Sequence, residues 1–415
     1  AVGLILIVIF VLFQVAMPKF TILQTLIDRL NLVSREILTG IPVIRAFSRE
    51  KHEEDRFEKA NLDLTKTNLF VNRCMTFMMP IMMLIMNGVS VLIIYSGAHA
   101  VDNGTMQVGN VMAFIQYAMQ IIMSFLMITA MSIMLPRANV AALRIDEVLK
   151  TEVSIQDPET PVHPSENVKG EIEFDHVSFA YPEAGENVLT DISFKAKKGQ
   201  TIAVIGSTGS GKSTLINLIP RYYDVTKGSV KVDGVDVRDM TQKELRDKLG
   251  YVPQKGVLFS GTIDSNIRYG KPEITDAQVK EAAEVAQATE FIDTKPEKYE
   301  SPVSQGGTNV SGGQKQRLSI ARAIAKDPEI FIFDDSFSAL DFKTDSQLRK
   351  ALKEYTKDAT TVIVAQRIST ILGADQIIVL DDGHMAGIGT HKELMANCEV
   401  YQQIARSQLS EEELA

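Results

Sequence analysis

The sequence predicts an all-α membrane region followed by an α/β domain. Three observations support this architecture. Long uncharged stretches are confined to the first 150 of the 415 residues, the net charge changes sign at the same point, and a glycine-rich loop lies between a strand-like and a helix-like run in the second part. A chain of this length is too long for one ordinary core, so two or more domains are expected.

The first 150 residues contain three apolar stretches near the spanning length of about 20 residues, at 1–17, 75–98 and 108–136. The connection between the first two carries ten Lys and Arg, whereas the loop 96–106 carries none. Positive charge favours the cytoplasmic side of a membrane. We therefore predict three spanning helices, with the long connection in the cytoplasm and the chain returning there after Pro136.

This arrangement places the start of the chain outside the cytoplasm, and the chain begins with Ala1 rather than Met. Residues 1–13 have neither the basic flank nor the cleavage site of a signal peptide, so we expect further membrane helices before them. Residues 21–68 show helical periodicity broken at residues 40–42, which predicts long helices projecting into the cytoplasm. A solvated charged hairpin is the alternative, but it does not explain a length of about 50 residues.

Charge and cysteine content narrow the function further. Residues 1–150 hold 13 Lys and Arg against 11 Asp and Glu, and the remainder holds 30 against 41, giving net charges of +2 and −11. An acidic soluble part argues against a nucleic-acid partner, because neutralising phosphates requires a basic face. Cys74 and Cys398 lie far apart, which suits a reducing interior and provides neither a disulfide framework nor a metal site.

Residues 151–170 hold three prolines and several acids, a composition typical of a linker. Beyond it, strand-like runs alternate with helix-like runs, which predicts an α/β sheet with a β-rich entry around a single core. The seven strand-like runs are 172–174, 188–194, 201–205, 230–232, 329–333, 361–364 and 376–380.

The strand 201–205 leads into a run that fits G-x-x-x-x-G-K-[ST], followed by a helix-forming segment. In this setting the glycines let backbone N–H groups point at phosphates, Lys212 reaches the β- and γ-phosphates, and Ser213 offers its hydroxyl to Mg²⁺. The alternative is a chance match of a Gly/Ser-rich turn, which the context disfavours. We predict that ATP contacts Gly206, Ser207, Thr208, Gly209, Ser210, Gly211, Lys212, Ser213 and Thr214.

A second apolar strand, 329–333, ends in Asp334 and Asp335, beside the place where the phosphate loop should lie. One carboxylate there can hold Mg²⁺, and the next can accept a proton from the attacking water. Helix capping by acidic residues is the alternative. We predict Asp334 as a metal residue and Asp335 as a catalytic one.

Residues 310–317 read VSGGQKQR and resemble the signature motif of ABC transporter ATPases, at the expected short distance before the carboxylate strand. Tyr181 resembles the aromatic residue that stacks on adenine in this family, Gln254 the Q-loop glutamine, and residues 338–341 the D-loop. In the membrane region, residues 38–47 resemble the cytoplasmic extension after the fourth helix of an ABC exporter half. The resemblance implies that this chain begins in helix four and lacks helices one to three.

The resemblance also implies the domain layout. Residues 1–150 are the C-terminal part of an exporter membrane domain, 151–170 a linker, and 171–415 an ABC nucleotide-binding domain with a helical signature subdomain. Two such domains enclose two ATP molecules with Mg²⁺, and closing and reopening drive the membrane helices. Gln254 is implied in both catalysis and Mg²⁺ binding. The signature residues implied to contact the partner's ATP are Ser311, Gly312, Gly313 and Gln314.

Two positions depart from the family pattern, and both belong to the catalytic step. The carboxylate after the metal-binding residue is usually Glu and here is Asp335, and the switch residue is usually His and here is Gln366. Withdrawing a catalytic oxygen by about 1 Å can cost about a hundredfold in rate. A glutamine at the switch position can donate to the γ-phosphate but cannot carry a proton. Neutral drift is the alternative explanation.

Because the signature loop keeps its serine and both glycines, the pattern predicts the degenerate half of a heterodimeric exporter. Such a chain hydrolyses ATP slowly at its own site and completes the active site of a non-identical partner. Two alternatives remain open. One is a homodimeric exporter or lipid flippase with two weak sites, and the other, from a different class, is an ATP-gated channel or regulatory subunit.

Twelve of the 17 methionines fall in the second and third apolar stretches, where two stripes step by three or four residues. Flexible thioether side chains suit a cavity that adapts to varied hydrophobic molecules. Helix packing or lipid contact is the alternative. We expect export of drugs or lipids across the plasma membrane. The stripes consist of Met75, Met79, Met82 and Met86, and of Met119, Met123, Met127, Met131 and Met134.

Overall fold

The computed structural model describes residues 2–165, 167–182 and 184–409, and the chain divides into two compact units, Ala1–Glu152 and Val153–Ala415. The first unit consists of three long helices, in which α2 contacts both of the others. Their bounds are α1 Val2–Ala46, α2 Glu50–Asp102 and α3 Val108–Lys150.

Within the described residues, Glu50–Asp102 and Val108–Phe125 are long and apolar enough to cross a membrane. The other predicted span, 1–17, forms the start of α1, and many of its side chains lie outside the described part of the chain. The prediction of three spanning helices therefore stays a prediction.

The break predicted at residues 40–42 is wrong, because α1 continues through Gly40 and Pro42 to Ala46. The helix ends instead at a left-handed residue, Ser48, with φ 50°. The N–H of Arg49 donates to the carbonyl of Ile44 at 2.9 Å, and that of Ser48 donates to Arg45 at 3.2 Å. This is the Schellman arrangement that glycine usually provides. A serine in its place gave no sequence signal.

The helices of the first unit are held together differently along their length. In the charged segment, Arg56 forms an ion pair with Glu36 across the α1–α2 turn. Toward the apolar segments, a small cluster of Met82, Ile85 and Ile122 is buried between α2 and α3.

Gly97 allows α2 and α3 to approach closely. A Cβ atom at this position would lie 2.7 Å from Cγ2 of Val111, whereas a Cβ at Gly88, nine residues earlier on α2, would meet nothing within 4 Å. Valine has little rotamer freedom on a helix, so it cannot easily move aside. Close packing here therefore depends on the absence of a side chain at Gly97.

We expect Gly97→Ala to lower the thermal stability of the purified protein, because overpacking typically costs about 1–3 kcal/mol. Gly88→Ala is the matched control and should be neutral or slightly stabilising, since alanine favours a helix. Adding Val111→Ala should restore the stability of Gly97→Ala. Equal melting temperatures for the two glycine variants in detergent would contradict this packing.

The second unit contains two larger sheets and a small two-stranded sheet. The first sheet is antiparallel with strand order β2-β1-β4-β5, and the second has the order β12-β11-β3-β10-β9-β6 and is parallel except for β12. Their strands are β1 Ile172–Phe179, β2 Leu189–Ala196, β3 Thr201–Gly206, β4 Lys227–Val232, β5 Val235–Asp236, β6 Leu249–Val252, β9 Ile330–Asp334, β10 Thr360–Val364, β11 Gln376–Asp381 and β12 His384–Gly389, and the two-stranded sheet consists of β7 Gly261–Thr262 and β8 Pro302–Val303.

Nine α-helices accompany these strands in the described residues. Their bounds are α4 Lys212–Asn217, α5 Gln242–Asp247, α6 Ile263–Ile267, α7 Asp276–Val285, α8 Thr289–Asp293, α9 Gly312–Ala325, α10 Phe342–Tyr355, α11 His391–Asn397 and α12 Glu399–Gln408. All seven predicted strands are present, although β1 runs five residues further than predicted. Five strands were missed, namely β5, β6, β7, β8 and β12. Three of them have only two residues, and the four residues of β6, between charged neighbours and a proline, give little pattern.

The parallel sheet is buried on both faces, which explains its continuous apolar strands. In β3, Ile202 and Val204 join one apolar cluster, while Ala203 and Ile205 join another on the opposite face. A third cluster surrounds α9. The prediction of a single core is therefore wrong, because a two-faced sheet and a helical subdomain each need their own.

No helix or strand is described within 151–165 or 167–170, but this segment is attached to the second unit. Asp157 accepts hydrogen bonds from the backbone and side chain of Gln242 at 2.9 and 3.1 Å. The N–H of Val162 donates to Asp239 at 2.8 Å. The part of this segment that can act as a flexible linker is therefore shorter than its composition suggests.

Candidate nucleotide site

The phosphate loop connects β3 to α4 and depends on glycine for steric reasons. A Cβ at Gly206 would lie 2.1 Å from the carbonyl oxygen of Leu380 on the neighbouring strand. Gly211 has φ +93°, and its Cβ would meet Leu189 at 2.8 Å. Any larger residue would push the loop off the sheet, so these positions fix its path.

Lys212 lies across this loop. Its ammonium group donates to the carbonyl oxygens of Gly206 and Ser207 at 2.9 and 2.6 Å. Burial lowers the pKa of Lys212, although the charges of Asp335 and Asp334 act in the opposite direction. Lys212 therefore places one positive charge at the loop, and the negative charges of Asp334 and Asp335 act on it.

Ser213 and Asp334 are brought together from different elements. The Ser213 hydroxyl at the start of α4 donates to Oδ1 of Asp334 at the end of β9, at 3.1 Å. Burial raises the pKa of Asp334, and the hydrogen bond from Ser213 partly offsets this. A hydroxyl and a carboxylate are hard oxygen donors, which fit Mg²⁺ bound mainly by waters and phosphates. The pair could therefore hold the metal, as predicted from sequence.

Asp335 accepts two side-chain amides on one oxygen. Nε2 of Gln366 donates to its Oδ2 at 2.8 Å, and Nε2 of Gln254 donates to the same atom at 3.4 Å. Because a carboxylate only accepts, both amides must present their N–H₂ groups. The structure thus places all three predicted catalytic residues together. The predicted metal residue Gln254 contacts Asp335 rather than Asp334 or Ser213.

Asp335 is largely buried. Its exposed fraction is 8% and its backbone is left-handed, with φ 45°. Burial raises the pKa of Asp335, while hydrogen bonds from Gln254 and Ser338 oppose the shift.

Tyr181 lies beside the phosphate loop. Its hydroxyl is 3.0 Å from the hydroxyl of Thr214, and its ring contacts Phe179 and Tyr223 in edge-to-face geometry. These contacts fix the ring next to the residues that follow Lys212. A fixed aromatic ring at this point could stack on a nucleobase.

The signature residues form the start of α9. Ser311 is the N-cap and accepts from the N–H of Gln314, whose side chain accepts from Ser311 in return. This capping box leaves the Ser311 O–H and the N–H groups of Gly312 and Gly313 directed outward. A Cβ at Gly312 would meet nothing within 4 Å. Among the described residues no hydrogen bond joins this turn to the phosphate loop.

Gln316 is a residue that the sequence reasoning missed. It is buried on α9, donates to the carbonyl of Pro253 at 3.2 Å and accepts from the N–H of Gly256 at 3.1 Å. It therefore fixes the backbone on both sides of Gln254's loop. Gln316 lies within the signature motif, but nothing in the sequence indicates that its side chain contacts the loop of Gln254.

Residues 189–338 match the ABC transporter family, and residues 1–125 match the ABC transporter transmembrane region. An uncharacterized ABC transporter ATP-binding protein of Mycobacterium tuberculosis is 46% identical over 395 residues, covering 94% of this chain and 68% of the relative. The chain belongs to the ABC transporter family. It is an ABC-type ATPase coupled to transport.

Other ABC proteins are also similar. The Bacillus subtilis protein YfiB, an uncharacterized ABC transporter ATP-binding protein, is 42% identical over 95% of this chain and 68% of its own length. A putative multidrug export ATP-binding/permease protein of the same species, YgaD, is 39% identical over 87% of this chain and 62% of its own length. A bacterial Atm1-family ABC exporter with ATP bound superposes with a TM-score of 0.82 and 28% identity, covering 99% of this chain and 72% of that one.

For this ABC ATPase we expect Tyr181→Ala to weaken binding of ATP, GTP and other nucleoside triphosphates alike, because stacking is nearly indifferent to the base and contributes about 1–3 kcal/mol. Tyr181→Phe is the matched control, since it removes only the hydroxyl that contacts Thr214. Equilibrium binding of labelled nucleotides measures both variants. Normal affinity in the alanine variant would show that the ring does not touch the nucleotide.

Proposed function

We propose that this chain is one half of a heterodimeric ABC exporter, with slow hydrolysis at its own site and a signature loop that completes the site of a non-identical partner. The observation that carries the proposal is the hydrogen bond from Gln366 to Asp335. It joins the two positions at which this sequence departs from its family. Asp335, Gln366 and Gln254 are the proposed catalytic residues.

Side-chain chemistry is the reason for the slow hydrolysis that we propose. The aspartate is one methylene shorter than the glutamate usual in the family, and a glutamine at the switch position cannot carry a proton. Burial raises the pKa of Asp335 and so favours proton uptake, but the shorter side chain holds its oxygens further back than those of a glutamate. About 1 Å of displacement can cost about a hundredfold in rate.

The loop that serves the partner lacks these defects. Ser311, Gly312 and Gly313 present one hydroxyl and two backbone N–H groups at the start of a 14-residue helix. Such donors bind phosphate oxygens well. The chain therefore combines a poor site of its own with an intact half-site for another subunit, the asymmetry on which the heterodimer proposal rests.

We place residues 1–150 in the membrane domain, 151–170 in the linker and 171–415 in the cytoplasmic ATPase domain of a multi-pass plasma-membrane protein. Three spanning helices belong to this proposal. ATP with Mg²⁺ closes the two ATPase domains, and hydrolysis at the competent site reopens them. This cycle moves the membrane cavity between its two orientations.

The methionine side chains of α3 support a hydrophobic substrate, such as a drug or a lipid. Met123, Met127 and Met131 are 62%, 71% and 67% exposed in this chain, whereas Met82 of the α2 stripe is buried against Ile122. The α3 stripe thus faces away from α1 and α2. An uncharged, adaptable surface of this kind suits varied apolar molecules.

Two other functions are separable by experiment. A homodimeric exporter or lipid flippase with two weak sites would yield a single subunit type by mass spectrometry of the natively purified complex. An ATP-gated channel or regulatory subunit would show no ATP-driven accumulation of a hydrophobic dye in inverted vesicles. Similarity to a putative multidrug export protein and to a bacterial ABC exporter supports export over these two alternatives.

The asymmetry gives a direct test in the intact complex. Asp335→Asn should lower steady-state ATP turnover only modestly, because this site already contributes little. Ser311→Ala combined with Gly312→Asp should nearly abolish turnover, since it places an acid against the partner's γ-phosphate. Asp335→Glu with Gln366→His should raise hydrolysis at this chain's own nucleotide. If Asp335→Asn silences the complex as fully as the signature change does, Asp335 is a working base and the proposal is wrong.

A second test concerns the substrate surface. Cysteines at Met123, Met127 and Met131, in a background without Cys74 and Cys398, should react with a polar maleimide in a manner that depends on ATP. Ile122→Cys is the matched control on the buried side of the same helix and should not react. Labelling only by a lipid-soluble reagent, indifferent to ATP, would place the stripe against lipid.

A further inference from the structure

The loop that carries Gln366 leaves the sheet immediately before this residue. The N–H of Ala365 still bonds to Val204 at 3.1 Å, and Val364 is the last residue of β10 paired with β3. Beyond that point, strand pairing no longer positions the backbone. The loop therefore needs other contacts if the side-chain amide of Gln366 is to stay on Asp335.

Gln408, in the last turn of α12, supplies two such contacts. Its Nε2 donates to the carbonyl of Gln366 at 2.8 Å, and its Oε1 accepts from the N–H of Ile368 at 2.9 Å. One carboxamide thus binds the backbone on both sides of Arg367. Only an amide side chain offers a donor and an acceptor side by side, so this double contact is specific for glutamine's chemistry and length.

The rest of α12 explains why Gln408 is held in place. Tyr401 and Ala405 are fully buried in the cluster that also contains Ala365 and Ile368. Gln408 follows them at i+7 and i+3, on the same face of the helix. Tyr401 is further fixed by its hydroxyl, which is 2.8 Å from Nδ1 of His391. The helix is thereby packed directly against the residues that flank the switch position.

A second contact holds the far side of the loop. Arg349 of α10 donates to the carbonyl of Ser369 at 2.8 Å and forms an ion pair with the buried Asp345 at 2.8 Å. A cavity of about 430 Å³ is lined by residues that include Asp335, Asp345, Gln366 and Gln408. The cavity leaves the loop without dense packing on that side, so its position depends on these hydrogen bonds.

We infer that Gln408 is a positioning residue for hydrolysis at this chain's own nucleotide: it holds the loop so that Gln366 reaches Asp335. The inference rests on the proposed role of Gln366 as the switch residue. In the described part of the chain, no hydrogen bond joins Gln408 to Asp335 or to the phosphate loop. Its effect should therefore appear in the rate of the chemical step and in the mobility of the loop, while nucleotide affinity stays unchanged.

The key variant is Gln408→Met, which keeps the length of the side chain and removes both hydrogen bonds. Gln408→Ala also removes the packing, and Gln408→Glu keeps the acceptor but places a negative charge against the Gln366 carbonyl. Gln403→Ala is the matched control, because Gln403 lies on the same helix and donates only to Glu399, at 3.4 Å. All four are made in the full chain and purified with its partner.

Hydrogen exchange of the peptide 366–371 is the first readout. A hydrogen bond is worth about 1 kcal/mol, so losing these two should speed exchange of this peptide about fivefold or more in Gln408→Met and Gln408→Ala. Gln403→Ala should leave it unchanged. Wild-type protection of the peptide in Gln408→Met would overturn the inference, since the loop would then not depend on the amide.

The second readout is single-turnover release of labelled phosphate in complexes that carry Ser311→Ala with Gly312→Asp, which restricts hydrolysis to this chain's own nucleotide. Gln408→Met should lower the rate about three- to tenfold, with ATP affinity within about twofold of the reference. Gln408→Glu should be at least as slow. A normal rate, or a loss explained by weaker ATP binding, would overturn the positioning role. The degenerate-site proposal fails by a different result, silencing of the intact complex by Asp335→Asn.

Discussion

The nucleotide site depends on one constraint. The parallel strands β3, β10 and β9 end side by side at the same edge of the sheet. In the register of the sheet, Val364 pairs with Val204 on one side and with Asp334 on the other. The phosphate loop, the carboxylate pair and the switch loop therefore leave the sheet at the same edge. Strand pairing thus makes neighbours of residues that are separated by more than 100 positions in sequence. Such strand ends are where α/β sheets generally bind ligands.

The sequence predicted the parts of the site that are local. The glycines at Gly206 and Gly211, the acids after β9 and the signature turn each have a short pattern with a physical reason. Their mutual arrangement followed from the alternation of strands and helices, since parallel strands end together. The sequence indicated that Gln366 and Asp335 lie close together, but it did not predict the hydrogen bond between them.

What the sequence could not predict arises from tertiary contacts or from unusual local choices. Gln316 and Gln408 fix backbone segments about 60 and 40 residues away, and nothing in their local sequence identifies those targets. In the turn after α1, Ser48 has the left-handed conformation that glycine usually adopts. The sequence pattern therefore indicated a break at residues 40–42 instead. The strand β6, one of those that the sequence did not predict, is only four residues long. In each case a three-dimensional requirement decided the outcome, and the local residue pattern gave no signal.

The three-residue turn at Ser48 has a mechanical consequence for the helices it joins. A helix rises about 1.5 Å per residue, so α1 and α2, with 45 and 53 residues, are arms of roughly 65–80 Å. A tilt of about 5° at the turn moves the far end of such an arm by about 6 Å, on simple leverage along a rigid helix. The hydrogen-bonded turn and the ion pair between Arg56 and Glu36 resist independent bending of the two arms there. Small displacements near this turn are therefore amplified, rather than absorbed, before they reach the apolar segments.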